Sequence, residues 1–277
     1  DGETSTPGKI TRMWVHEVTR VFSDRIVDTN DIITISNVIS NTTKKYFKVA
    51  LENIMVASIK EDNELNNKDG DDGRDNEKDA NDVITISSDT VELIQMNTWS
   101  SFRSIKANNE FDEMPNKLRR AEAAIGKLKD YNSVTETPMN LILFDFAISH
   151  LARIVRILLI PGGHGLLVGM GGSGRQSLTR LAAHVAQTQL IQFEISSGYG
   201  RNEWKEDLRN MLMKCGTTQE DEDGTITFLL TDTQIIDDLF IADVNSLLSS
   251  GDVPMLFTPA ERDMVSEKMR PIASNNN

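Results

Sequence analysis

"GMGGSGRQSL", residues 169–178, is the stretch on which the reading of this chain turns. Gly169 and Gly174 stand where a phosphate-binding loop of the pattern G-x-x-x-x-G-K-[S/T] fixes its two glycines, with Met170, Gly171, Gly172 and Ser173 between them. Such a loop works because successive backbone N–H groups wrap phosphate at a helix N-terminus, where the helix dipole also favours an anion. Lysine then reaches the β- and γ-phosphates, and a serine or threonine hydroxyl holds Mg²⁺. Here Arg175 takes the lysine position and Gln176 the hydroxyl position. Ser177 comes one residue late, about 100° further round a helix. Arg175 can still neutralise phosphate, although its planar fork is bulkier than an ammonium. Gln176 can hydrogen-bond but is a poor magnesium ligand.

The surroundings of the loop select among its readings. "GLLVG" (165–169) predicts a short buried strand before it, and 177–187 a helix after it. Further strands are predicted at 190–196 and 225–232, with helices at 203–215 and 237–251. A helix over 138–158 leads in and stops at "PGG" (161–163). Strands alternating with helices mean an α/β fold, a parallel sheet covered on both faces. A glycine turn without a ligand is the plain alternative. A dinucleotide fingerprint of the G-x-G-x-x-G type needs an acid ending the next strand, and Glu194 lies inside its strand instead.

"TFLLTDTQI" (227–235) is the second signal. A P-loop ATPase ends its apolar third strand on an acid that holds the magnesium shell, followed by a glutamate that activates water. Asp232 stands in the first place and Thr233 in the second. A threonine cannot act as a general base near neutral pH. Arg175, Gln176 and Thr233 together describe a pocket that holds ATP or ADP, with Mg²⁺ through Asp232, and is poorly equipped to cleave it.

The first half reads differently. Ile10, Met13, Trp14, Val18, Val21, Phe22 and Ile26 recur at helical steps over 9–27. Asp31 is a candidate N-cap for a second helix with Ile32, Ile35 and Ile39 inward. A third helix is read over 44–59, little clear period over 91–105, and a charged helix over 116–131. Residues 61–82 carry ten acids against three bases and read as a solvated, disordered insertion. No register there gives the acids, glycine and closing glutamate of a calcium loop. The net charge of −13 argues against nucleic acid or an anionic membrane surface as partner. Cys215 is the single cysteine, so no internal disulfide forms. The longest apolar run is broken by Asp145, His150, Arg153 and Arg156, which excludes a membrane span. His16, His150, His164 and His184 show no metal-ligand spacing, and Trp14, Trp99 and Trp204 read as core anchors. The start at Asp1 is read as that of a piece of something larger.

Residues 161–186, 192–209 and 228–257 together resemble the fourth AAA+ module of axonemal dynein heavy chains, including the Arg-Gln-Ser form of the loop. "MWVHEVTRVFSDRIVD" (13–28) resembles the helical lid that ends the preceding, third module, and 137–158 the lead-in helix of the fourth. The resemblance implies that 1–130 form that lid, with the acidic insertion at about 61–82, and that 131–277 form the first part of a large α/β subdomain. It implies Gly169 to Ser177 as nucleotide-binding and Asp232 and Thr233 as the strand-end motif. It further implies an ATP-driven microtubule motor of the cytoplasm and cytoskeleton, in the axoneme of cilia and flagella. Its partners would be neighbouring AAA+ modules of the same chain, and, through parts outside these residues, dynein intermediate and light chains and microtubules. On the same resemblance 277 falls short of the fourth strand of the sheet, which leaves a sheet edge exposed.

Overall fold

The computed structural model describes residues 7–24, 26–51, 53, 99–100, 112–113, 117–217 and 225–275. The acidic tract at 61–82 lies outside the described residues. The chain divides into two compact units, Asp1–Gly126 with Leu143–Ile148, and Lys127–Ile142 with Ser149–Asn277.

The first unit opens with helix α1 (Pro7–Phe22) and helix α2 (Thr29–Thr42). The α2 cap is Asp28, three residues before the expected Asp31; its carboxylate accepts from Asn30 N at 2.8 Å and Asp31 N at 3.4 Å. Val15, Ile39 and Leu51 form a small core, with Trp14, Val18 and Ile35 packed on it. The inward face of α1 is rotated from the one its apolar spacing predicts: Ile10, Met13, Val21 and Phe22 are exposed. Thr11 and Arg12 are buried in their place. Of the helix expected over 44–59, the start is a π turn (Thr43–Phe47) ended where Lys48 turns left-handed at φ 59°; Leu51 and Asn53 are again helical, and 52 and 54–59 lie outside the described residues. A short antiparallel pair, β1 (Trp99–Ser100) and β2 (Asp112–Glu113), was not anticipated.

Helix α3 (Lys117–Val134) and helix α4 (Asp145–Leu159) follow. Residues 138–144, expected as the start of α4, are not helical. Asn132 explains the difference: its side chain donates to Met139 O at 2.9 Å and accepts from Met139 N at 2.8 Å. That pair of bonds closes a turn and takes the backbone groups a helix would use.

The second unit holds helix α5 (Arg175–Val185), strand β3 (Gln189–Ile191), helix α6 (Arg201–Thr217) and strand β4 (Ile226–Phe228). Helices α7 (Asp238–Ser250) and α8 (Pro259–Asn275) complete it, the last not anticipated. Strands β3 and β4 pair in parallel, Gln189 with Ile226 and Ile191 with Phe228, a connection made through α6. Among the described residues the sheet is this pair alone. The segment 165–169, predicted as a strand, is not one: Leu166 and Val168 are 90% and 84% exposed, and among the described residues no strand partners them. The core lies around Trp204, which stacks on Phe240 at 4.2 Å and 6° and meets Phe193 edge-on at 5.4 Å. Its indole N–H donates to Asp243 at 3.0 Å. A buried ring of this size removes on the order of 200 Å² from water, about 5 kcal/mol.

Candidate nucleotide site

The glycine loop is shaped by backbone that only glycine adopts freely. Gly172 and Gly174 lie at φ 75° and 77°, in the left-handed region, which costs other residues about 1–2 kcal/mol. Ser173 N donates to Met170 O at 3.3 Å, and Leu178 N to Gly174 O at 2.8 Å, so α5 begins directly on the loop. A Cβ on Gly169 would stand 3.3 Å from Ser173 Oγ and 3.6 Å from Arg175 Cδ, because the Arg175 side chain folds back across it. Arg175 Nη2 donates to Met170 O at 3.1 Å. Residues 169–173 are exposed.

Helix α5 carries the loop on a firm base. Thr179, Leu181, Ala182 and Ala183 are buried, and Thr179 Oγ1 donates to Arg175 O at 2.9 Å. The N-cap is Gly174, which has no side chain to satisfy the first amides, and the first turn holds no acid. It holds Arg175, a cation at the positive end of the helix dipole. By contrast Asp28 and Asp237 cap α2 and α7 with their carboxylates.

Beside the loop lies a cavity of about 560 Å³. Gln176 and Arg180, four residues apart on one face of α5, form one wall. Gln192 and Glu194, just past β3, form another, and Thr233 and Gln234, past β4, a third. The cavity thus opens beyond the carboxyl ends of two parallel strands, where ligands of open α/β sheets bind. Gln234 is its buried hub. The Gln234 Oε1 accepts from Thr231 N at 2.8 Å and Thr231 Oγ1 at 2.9 Å, and Gln192 Nε2 reaches it at 3.4 Å. The Gln234 amide donates to Phe193 O, and Arg180 Nη2 donates to Gln192 Oε1. Thr233 Oγ1 lies 3.1 Å from Thr231 Oγ1.

Of the residues expected from sequence, the structure brings Gln176 and Thr233 to one cavity. Asp232 begins a short 3₁₀ turn (Asp232–Gln234) next to Thr233, is exposed, and does not line the cavity; neither does Ser177. His164 is exposed ahead of the loop. Sequence reasoning missed Arg180, Gln192 and Gln234. The four-residue spacing of Gln176 and Arg180 was the available signal; the links to Gln192 and Gln234 cross 12 and 42 positions and leave none.

A family model, P-loop containing dynein motor region D4, matches residues 139–277. The chain belongs to that family. An AAA+ lid domain model matches residues 4–57. The chain is 32% identical over 265 residues to human dynein axonemal heavy chain 3 and 36% identical over 265 residues to human dynein axonemal heavy chain 6. It is 34% identical over 266 residues to the dynein alpha chain of the flagellar outer arm of Chlamydomonas reinhardtii. Each comparison covers 96% of this dynein chain. It spans 6% of the length of each of the two human proteins and 5% of the algal one. The fold is accordingly that of an AAA+ P-loop module with a helical lid before it. No helix among the described residues is long and apolar enough to cross a membrane.

Proposed function

We propose that this chain is a piece of an axonemal dynein heavy chain, an ATP-driven microtubule motor of cilia and flagella. In this reading residues 1–130 are the lid of one AAA+ module and 131–277 the first part of the next. Its own loop holds ATP or ADP as a structural or regulatory ligand with little hydrolysis. The observation that carries the reading is the start of α5, which has no side-chain cap and no acid, and a cation in its first turn. Left alone, those free amides and Arg175 repel one another by about 0.3–1 kcal/mol; a phosphate among them reverses the sign.

The amides of Gly169 to Gln176 and Ser177 would wrap the phosphates, with Arg175 swinging from Met170 O to neutralise them. Magnesium binds through one or two carboxylates and otherwise keeps waters and phosphate oxygens. The carboxylate of Asp232 is exposed on the turn beside Thr233; it fits that habit and would hold the ion. Bound magnesium supplies charge neutralisation of the β- and γ-phosphates. Thr233 orients nothing that could take a proton from water, so the bound triphosphate persists. The site would sit in the cytoskeleton of the axoneme, next to neighbouring AAA+ modules of the same heavy chain. Microtubules and the intermediate and light chains would be engaged by other parts of that chain.

One observation favours a second reading, a nucleotide-free AAA+ element that only transmits force around the ring: Arg175 already bonds the carbonyl of Met170. Titration of the complete motor, its other nucleotide sites disabled, with a fluorescent adenine nucleotide separates the two. Arg175→Ala should weaken binding by about 1.5–3 kcal/mol, the scale of a charge-assisted hydrogen bond. Unchanged affinity removes Arg175 from the site, and no binding at all favours the scaffold.

A further inference from the structure

Three arginines of the second unit face an acid. Arg201 binds Asp237 at 2.7 Å, Arg209 lies 3.6 Å from Glu261, and Arg262 lies 3.4 Å from Asp252. Arg180 differs: its guanidinium rests on Gln192, a neutral amide, inside the cavity. A neutral amide oxygen offers a guanidinium an ion–dipole contact without the charge–charge attraction an anion adds, so an arriving phosphate oxygen competes for it. Arg180 stands one turn above Gln176, about 6 Å along the α5 axis. Helical side chains lean toward the N-terminus, the end of α5 that carries the loop.

We propose that Arg180 is the residue by which this site distinguishes a nucleoside triphosphate from a diphosphate. The proposal rests on the reading of the loop as a nucleotide site. The loop amides and Arg175 serve the phosphates common to both ligands. The terminal phosphate of a triphosphate extends past Gln176 into the 560 Å³ cavity, where Arg180 is the cation of the lining and Thr233 faces it from the strand ends. Glu194, the acid of the lining, is exposed, so solvent screens its repulsion. When Arg180 turns to the phosphate, Gln192 loses its donor. Gln192 is hydrogen-bonded to Gln234, which holds Thr231, so the exchange is felt at the turn that carries Asp232 and Thr233. The arrangement makes Arg180 a specificity residue and Gln192 its competitor.

The two roles predict opposite signs, which a structural role cannot. In the complete heavy-chain motor with its other nucleotide sites disabled, affinities are measured for fluorescent ATP and ADP analogues. Arg180→Ala should weaken the triphosphate by about ten- to hundred-fold and the diphosphate by less than about two-fold. Arg180→Lys, which keeps helix and charge but loses the fork, should fall between and keep the discrimination measurable if the alanine variant folds poorly. Gln192→Ala, which frees Arg180, should tighten the triphosphate by about three-fold and leave the diphosphate unchanged. Equal losses for both ligands, no loss in the Arg180 variants, or weakening by Gln192→Ala would overturn the role of Arg180 while the loop stays a nucleotide site. Binding of neither analogue by the unmodified motor overturns both readings.

Discussion

Helices α5 and α7 belong to the same unit and begin in opposite ways. At α7 the Asp237 carboxylate accepts from Leu239 N at 3.0 Å and takes Arg201 Nε at 2.7 Å. The hydrogen bond from Arg201 first, and the Leu239 amide second, hold the Asp237 carboxyl below the usual carboxylate range. Helix α8 is closed too: Thr258 N donates to Glu261 Oε2 at 2.7 Å and Glu261 N to Thr258 Oγ1 at 3.3 Å, a capping box. At α5 a left-handed glycine leads into an arginine and no side chain caps the first amides. The closed ends are finished by the chain itself. The open end is left without a side-chain cap, and on the proposed reading a phosphate finishes it.

The largest expected effect tests whether the open end can be turned from holding to cleaving. Thr233→Glu alone should raise single-turnover ATP cleavage little, because Gln176 still offers no hydroxyl to the ion. Adding Arg175→Lys and Gln176→Thr should raise it further, toward the 10²–10⁴-fold that a positioned general base contributes, as a rough range. The measurement is made in the complete motor with its other sites disabled. Cleavage by the unmodified site at several per second would sink the distinction between holding and cleaving.

Packing behind the closed end supplies the next effect. Trp204 is 1% exposed between Phe240 and Phe193. Trp204→Ala should lower the opening free energy of α6 and α7 amides, read by native-state hydrogen exchange, by about 3–5 kcal/mol. Arg175→Ala should leave those same amides unchanged. If it lowers them as well, stability and binding are not separated between the two helix starts.

A smaller effect tests the cap itself. Asp237→Ala should speed hydrogen exchange of the first α7 amides through loss of the Leu239 bond. Asp237→Asn keeps that acceptor and loses only the exposed ion pair with Arg201, so the exchange should change less. Identical changes in the two variants would mean that the ion pair, not the cap, closes the helix.

How much of this was legible beforehand follows the range of each interaction. The loop, α5 and α6 are set by local signals, glycines in a fixed pattern and apolar spacing, and their expected bounds fall within two residues of those observed. Segment 165–169 has the apolar residues of a strand, yet Leu166 and Val168 are exposed. A strand is made by its neighbours, and no local pattern supplies one. The start of α4 moved because Asn132 bonds a residue seven positions on. The face of α1 turned because Thr11 and Arg12, polar by type, are the residues buried. The loop pattern located Gln176 and the strand-end pattern Thr233, while the Arg180, Gln192 and Gln234 connections depend on tertiary placement alone.

The smallest effect concerns the far end of α5, where the open helix is held in place. His184 meets Tyr131 edge-on, centroids 5.5 Å apart at 81°. Burial first, and the charge of Lys127 second, hold its pKa below the ordinary histidine value of 6.5, with Asp130 opposing. The folded unit therefore prefers neutral His184. A base depressed on folding contributes stability that is complete above the unfolded pKa and lost as pH falls, because the unfolded chain then binds the proton more readily. Opening free energies of α5 amides should be level from about pH 8 to 7 and decline as the medium is acidified below about 6.5. His184→Phe keeps an edge contact with Tyr131 and has no proton to take up, so this part of the decline should vanish from its profile. A decline of equal slope in both proteins would assign the acid sensitivity to other groups and leave His184 a packing residue only.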